Sequence, residues 1–171
     1  MELRSAECIV RPYRPEDAES LARHGNNRRI WLNLRDRFPH PFSVEDGAAY
    51  IAYTLREPVP LSFAIDVGGE AVGGISLHPG EDVERYGAEL GYWLGESMWG
   101  RGVTTAAVRL VTAYAFAERG LLRVFALPFT RNAASVRVLE KSGYIREGHL
   151  RGSAVKDGEL LDQYLYAKLG G

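Results

Sequence analysis

The stretch Glu89-Leu-Gly-Tyr-Trp-Leu94-Gly95-Glu-Ser-Met-Trp99-Gly100-Arg101-Gly102-Val103-Thr104-Thr105-Ala-Ala-Val108 decides how the rest of the chain is read. Residues 89–94 are mostly apolar and aromatic, which suits a buried strand in a pleated sheet. Gly95, Gly100 and Gly102 then remove three Cβ atoms within eight residues, leaving backbone amides open to close approach. From Thr104 to Ala117 there is no glycine or proline, and Ala, Val and Leu abound, so the spacing predicts a helix that begins at the threonines. A strand, a glycine turn and a helix N-terminus bring bare N–H groups and the positive end of a helix dipole to one place. Such a place suits a phosphate or pyrophosphate.

Two nucleotide-binding patterns fail on this stretch. A dinucleotide fingerprint needs G-x-G-x-x-G directly after its strand, whereas Gly100-Arg-Gly102-Val-Thr-Thr105 lacks the third glycine. A P-loop needs a lysine and a hydroxyl after its second glycine, and Arg101-Gly102 stands there instead. Taken alone, the stretch is also compatible with an ordinary strand–loop–helix connection.

A second motif lies about thirty residues downstream, Asn132-Ala-Ala-Ser135-Val-Arg-Val-Leu139-Glu-Lys-Ser-Gly143-Tyr144. The pair, W-G-x-G-x-[AT]-T and N-x-x-S-x-x-V-L-E-K-x-G-[FY], resembles the GNAT superfamily of N-acetyltransferases. Within it the chain is most similar to the branch that includes ribosomal-protein N-terminal acetyltransferases (RimJ/RimL-like), and the resemblance runs from Val10 to Ala167. It implies a mixed, mainly antiparallel sheet with helices on both faces, an α+β arrangement whose two central parallel strands splay apart around the co-substrate, acetyl-CoA. It also implies that Trp99, Gly100, Arg101, Gly102, Val103, Thr104 and Thr105 receive the pyrophosphate. Thr104 stands where many members carry Gly or Ala. The edge of Glu89–Leu94 is expected to pair with the pantetheine amides, with the Trp93 or Leu94 N–H polarising the thioester carbonyl. Asn132 is expected to contact the cofactor arm, and Ser135 to act as general acid on the departing thiolate. Asn132 is equally a good helix N-cap and Ser135 a harmless first-turn residue, and both readings hold together.

The whole chain sets outer bounds. Its 171 residues suit one domain, 1–171, with a substantial core. A formal charge of −1 speaks against wholesale nucleic-acid binding. Locally, Arg23 to His40 holds five arginines, Arg23, Arg28, Arg29, Arg35 and Arg37, against Asp36 alone. That segment reads as a solvated loop, or as a cationic rim for an acidic acceptor. Cys8 is the only cysteine, so there is no disulfide framework. No secretory signal, membrane span or metal-ligand spacing is read, and a cytoplasmic protein is expected.

In chain order, a strand is expected at 8–12, a helix from Pro15 with Ala18, Leu21 and Ala22 inward, and an irregular or briefly helical region over 25–42. Ser43 caps a helix to Leu55. A hairpin of 61–67 and 71–77 follows, then a loop over 78–86. After the central strand and helix come a strand at 123–127, a helix over 132–142, and final strands at 144–150 and 161–169.

The acceptor amine must lose a proton before it attacks. An α-amine near pKa 7.7–8.0 is roughly one-tenth neutral at pH 7, whereas a lysine near 10.4 is neutral in less than about one part in a thousand. Glu89 is the first candidate base and Asp162 the second, with His40 and His78 placed in loops within reach. The acceptor is a protein N-terminus or a small molecule (an amino acid, polyamine or antibiotic), and Trp31 to Phe42 with the next helix form its wall. A non-catalytic acetyl-CoA-binding module is the alternative from another class. Monomer and homodimer are both open.

Overall fold

A computed structural model describes residues 1–171. Its eight strands are β1 (Leu3–Arg4), β2 (Ile9–Arg11), β3 (Ser62–Val67), β4 (Glu70–Pro79), β5 (Gly87–Leu94), β6 (Arg123–Ala126), β7 (Ile145–Lys156) and β8 (Glu159–Leu169). They form one sheet in the order β1-β2-β3-β4-β5-β6-β8-β7. Five helices pack on it, α1 (Ala18–Gly25), α2 (Arg28–Trp31), α3 (Val44–Thr54), α4 (Val103–Ala117) and α5 (Ala133–Lys141).

Every neighbouring pair is antiparallel except β5 and β6, whose parallel register covers only Gly87↔Arg123, Ala88↔Val124 and Glu89↔Phe125. Beyond Glu89 the two strands part, because the chain after Ala126 follows β8. The Tyr164 N–H donates to Pro128 O at 3.0 Å, and the Thr130 N–H to Asp162 O at 3.0 Å. The second half of β5 therefore keeps a free edge. This is the splayed, mixed sheet expected from the sequence.

Side chains of β5 alternate between faces, as in any strand. Ala88, Leu90 and Leu94 join Val103, Ala107, Val108 and Val111 of α4 and Leu139 of α5 in the larger core. Trp93 turns the other way and packs on a smaller core of Tyr13, Ala18, Leu21, Phe42 and Ile51. Ser43 and Asp46 exchange bonds in a capping box at the start of α3. Arg11, only 2% exposed, is a polar pin between sheet and helix: Nε donates to Asp66 at 2.7 Å, and its two terminal nitrogens donate to Asp17 at 2.8 and 2.9 Å.

Three expectations change. The final hairpin runs 145–156 and 159–169, turning at Asp157-Gly158, so its first strand extends six residues past the expected end and its second begins two residues early. The strand expected to end at Leu77 continues to Pro79, so His78 lies in β4, paired in register with Glu89, and not in a loop. Gly95 does not serve ligand approach. A Cβ there would sit 2.6 Å from His24 Nδ1, and its amide donates to Val72 O at 2.8 Å. No helix is long and apolar enough to cross a membrane.

Candidate active site

The gap between β5 and β6 opens into a cavity of about 1370 Å³, reaching from the N-terminus of α4 to the wall formed by residues 33–38 and α3. Gly100 and Gly102 have φ of 74° and 76°, where a side chain is strained, and a Cβ at either would meet nothing within 4 Å. Glycine is required there by conformation and not by space. From Gly100 to Thr105 no backbone amide donates to a protein acceptor; the first bond of α4 is Ala106 N–H to Gly102 O at 3.0 Å. Six bare donors at a helix N-terminus form an anion cradle. Trp99 braces it, its Nε1 donating to Leu94 O at 2.8 Å, with the Arg29 guanidinium 5.2 Å from its ring centroid.

The free edge of β5 can be read amide by amide. Gly95 donates to β4, and an antiparallel ladder alternates, so Trp93, Gly91 and Glu89 also face β4. The N–H groups of Tyr92 and Leu94, past the last residues paired with β6, face the opening. Of the two expected oxyanion donors, the alternation turns Leu94 toward the gap and Trp93 away from it. The Trp93 indole lies over Gly74 and meets Phe38 edge-on at 5.3 Å.

Asn132 caps α5, its Oδ1 accepting from the Ser135 N–H at 3.2 Å. Ser135 Oγ lies 2.6 Å from the Tyr92 hydroxyl, and both line the cavity. Burial drives the Tyr92 phenol well above its ordinary pKa, so it keeps its proton. Tyr92 was missed in the sequence. The period-two pattern of β5, with Leu90 and Leu94 on the face of α4 and α5, was the signal that contained it.

At the acceptor end Glu89 is not free, since its carboxylate pairs with Arg35. His78 Nε2 lies 2.9 Å from Ser76 Oγ, and the two sit over Gly91, where a Cβ would be 3.7 and 3.6 Å from them. Burial first, then the Arg37 and Arg35 charges, push the imidazole below its ordinary pKa, against the pull of Glu89. Asp162 lies elsewhere: its carboxylate accepts from Gly152 N–H at 2.7 Å and meets His149 Nε2 at 2.7 Å, which holds it below the usual carboxylate range. It belongs to the β7–β8 hairpin and does not line the cavity. His40 packs against Trp31 at 5.6 Å and does not line it either.

In the Arg23–His40 segment four of the five arginines are exposed and paired with carboxylates. Arg23, Arg28, Arg29 and Arg35 pair with Glu70, Asp157, Glu96 and Glu89. Lys156, 2% exposed at the hairpin tip, pairs with Asp36 at 2.9 Å and lies 3.8 Å above the Trp31 ring. The tip is thereby clasped to the acceptor wall.

An anion cradle, a free strand edge and a serine–tyrosine pair on one splayed gap fit the coenzyme A thioester that the resemblance implies. The chain belongs to the GNAT family, whose acetyltransferase domain matches residues 8–145, and it is an acetyl-CoA-dependent N-acetyltransferase. Its relatives put it in the RimJ/RimL-like branch. It is 33% identical over 168 residues to a putative ribosomal N-acetyltransferase, YdaF, of Bacillus subtilis, covering 94% of this chain and 90% of that one. It is 32% identical over 108 residues to the ribosomal-protein-serine acetyltransferase of Escherichia coli, covering 63% and 59%. The fold superposes on RimL, a ribosomal L7/L12 α-N-protein acetyltransferase solved with coenzyme A, with a TM-score of 0.86 at 20% identity, over 99% of this chain and 98% of that one.

Proposed function

We propose that this acetyltransferase modifies the α-amine of a protein N-terminus, by direct attack on acetyl-CoA in a ternary complex, with residues 1–171 acting as one domain in the cytoplasm. The observation that carries the acceptor is the weakness of the base available. Glu89 is tied to Arg35, and what remains is His78, an imidazole whose neutral form is favoured. Such a base suits an α-amine near pKa 7.7–8.0 and falls short for a lysine near 10.4. Two relatives named for ribosomal acetylation point the same way.

In this reading the bare amides of Gly100, Arg101, Gly102, Val103, Thr104 and Thr105 hold the pyrophosphate, and Asn132 keeps the turn that aims Ser135. The Leu94 N–H serves the pantetheine arm, and the Tyr92 N–H, on the same edge and nearer the acceptor, serves the thioester oxygen. The amine nitrogen attacks the carbonyl carbon, and its proton passes to His78 Nε2 directly or through a water. Glu89 steadies the protonated imidazole from the facing strand position. As the C–S bond breaks, the Ser135 hydroxyl donates to the sulfur and Tyr92 donates to Ser135 Oγ.

The test is a panel of peptides with free or blocked N-termini, each with one internal lysine, followed by free-thiol release and by mass spectrometry of the product. Acetyl on the α-nitrogen alone is expected; acetyl on lysine refutes the base argument. The clasp between Lys156 and Asp36 favours a second reading, a small-molecule amine enclosed under the hairpin tip. Acetylation of free amines with every peptide refused would select it.

A further inference from the structure

Each cation around the acceptor half of the cavity is paired with a carboxylate except one, and the exception is informative. Among the five arginines of the Arg23–His40 segment, Arg37 alone has no carboxylate partner. It lines the cavity with its Nη2 3.5 Å from His78 Nε2, too long for a sound hydrogen bond. The carboxylates that share the cavity do not neutralise it. Glu89 is spent on Arg35, Asp36 on Lys156, and Asp46 on the cap of α3. Glu57 lies toward Tyr50 with Oε2 buried and unpartnered, and forms no ion pair with Arg37.

We propose that Arg37 is an acceptor-binding residue that receives a carboxylate carried by the acceptor close to the amine to be acetylated. The acceptor is then an acidic amine: a chain whose first or second residue is Asp or Glu, or a free acidic amino acid. A guanidinium offers a planar, two-pronged donor set that matches a carboxylate. The neighbouring chemistry makes the match useful. When His78 takes the amine's proton, two cations would face each other across 3.5 Å, and a carboxylate on Arg37 relieves that repulsion. An acidic acceptor thus assists its own deprotonation, whereas a neutral one does not. The inference rests on the amine-acceptor half of the reading above and narrows it.

The experiment measures kcat and KM by free-thiol release with two sets of acceptors. One set is the C-terminally amidated peptides Ser-Asp-Gly, Ser-Asn-Gly and Ser-Lys-Gly; the other is free aspartate, asparagine and lysine. The acidic member is expected to exceed the neutral one by about tenfold or more in kcat/KM, the scale of a charge-assisted hydrogen bond. Arg37→Ala is expected to erase that preference through KM, so that the acidic and neutral members react within about threefold of one another. Arg37→Glu is expected to reverse it toward the lysine members. Arg56→Ala, outside the cavity, serves as the control, and an unchanged rise in melting temperature with acetyl-CoA shows that each variant is folded. Equal rates for acidic and neutral acceptors, a wild-type preference for the lysine members, or a preference that survives Arg37→Ala overturns the inference. An acidic preference confined to the free amino acids sustains it and overturns the protein N-terminus.

Discussion

The contact between Ser135 and Tyr92 carries a prediction that separates a catalytic pair from a packing contact. The two hydroxyls are 2.6 Å apart, and the phenol is held protonated by burial. If Ser135 donates to the departing sulfur, Ser135→Ala removes a donor aimed at charge that develops in the transition state. Losses of that kind cost about 10²–10³ in kcat, or ~2.7–4 kcal/mol. Tyr92→Phe leaves the serine in place and removes only the donor behind it, a net neutral bond of about 0.5–1.5 kcal/mol, hence about threefold to tenfold. The double variant should be no slower than Ser135→Ala alone, because the tyrosine acts through the serine. The assay is steady-state thiol release at saturating acceptor, with acetyl-CoA affinity measured by calorimetry and expected to hold within about threefold. A Ser135→Ala enzyme that keeps kcat within threefold of wild type refutes the acid role. Additive losses in the double variant refute the relay.

Arg11→Met is expected to cost about 3–5 kcal/mol in denaturant unfolding, since it leaves Asp17 and Asp66, 5% and 3% exposed, as unpaired buried charges. Gly95→Ala is expected to lower stability by about 1–3 kcal/mol through the 2.6 Å clash with His24, with acetyl-CoA affinity unchanged because the Gly95 amide is spent on Val72; a loss of affinity at full stability would show that the glycine serves the ligand after all. Tyr144 is pushed up to about 12 by burial, against the pull of its bond to Thr112. A raised phenol stabilises the fold fully below the unfolded value near 10 and loses that as pH rises toward 12, about 2–3 kcal/mol, so Tyr144→Phe should flatten alkaline unfolding over that window. His78 is pushed down, so the acid limb of kcat/KM should lie below about 6.5, and Arg37→Ala, which removes one of the causes, should move it upward.

The glycine turn and the helix starts at 103 and 133 were legible because their information is local. A left-handed glycine at 102 directly before a helix without breakers leaves few places for the amides of 100–105 to point, and Asn132 three residues before Ser135 caps whatever follows. Backbone recognition is written in glycine spacing, and glycine spacing is visible in one dimension. The role of Gly95 was misread for the complementary reason. Its need for a missing side chain comes from His24, on a helix seventy-one residues earlier in the chain. Arg11 looked like the polar end of a short strand, and only the approach of Asp17 and Asp66 makes it a buried pin.

The acceptor half is built the opposite way, from side chains that meet across long separations. Glu89 reads as a free base until Arg35 arrives from fifty-four residues away, and Lys156, between the two expected final strands, has no visible partner until Asp36 meets it from 120 residues away. His78 changes role by a two-residue extension of β4, which moves it from an expected loop to a position facing Glu89 and over Gly91. The division follows the two faces of β5. Leu90, Tyr92 and Leu94 point to α4 and α5, the side of the glycine turn and Ser135; Glu89, Gly91 and Trp93 point to α1 and α3, the side of His78 and Arg35. A family can keep one face fixed and exchange partners on the other at little cost to the fold, because the small core under Trp93 is separate from the large one under Leu90. Specificity in this chain is therefore to be sought among pairs such as Arg35–Glu89 and in the unpaired Arg37 guanidinium of the acceptor wall, and not in the glycine turn at the other end of the cavity.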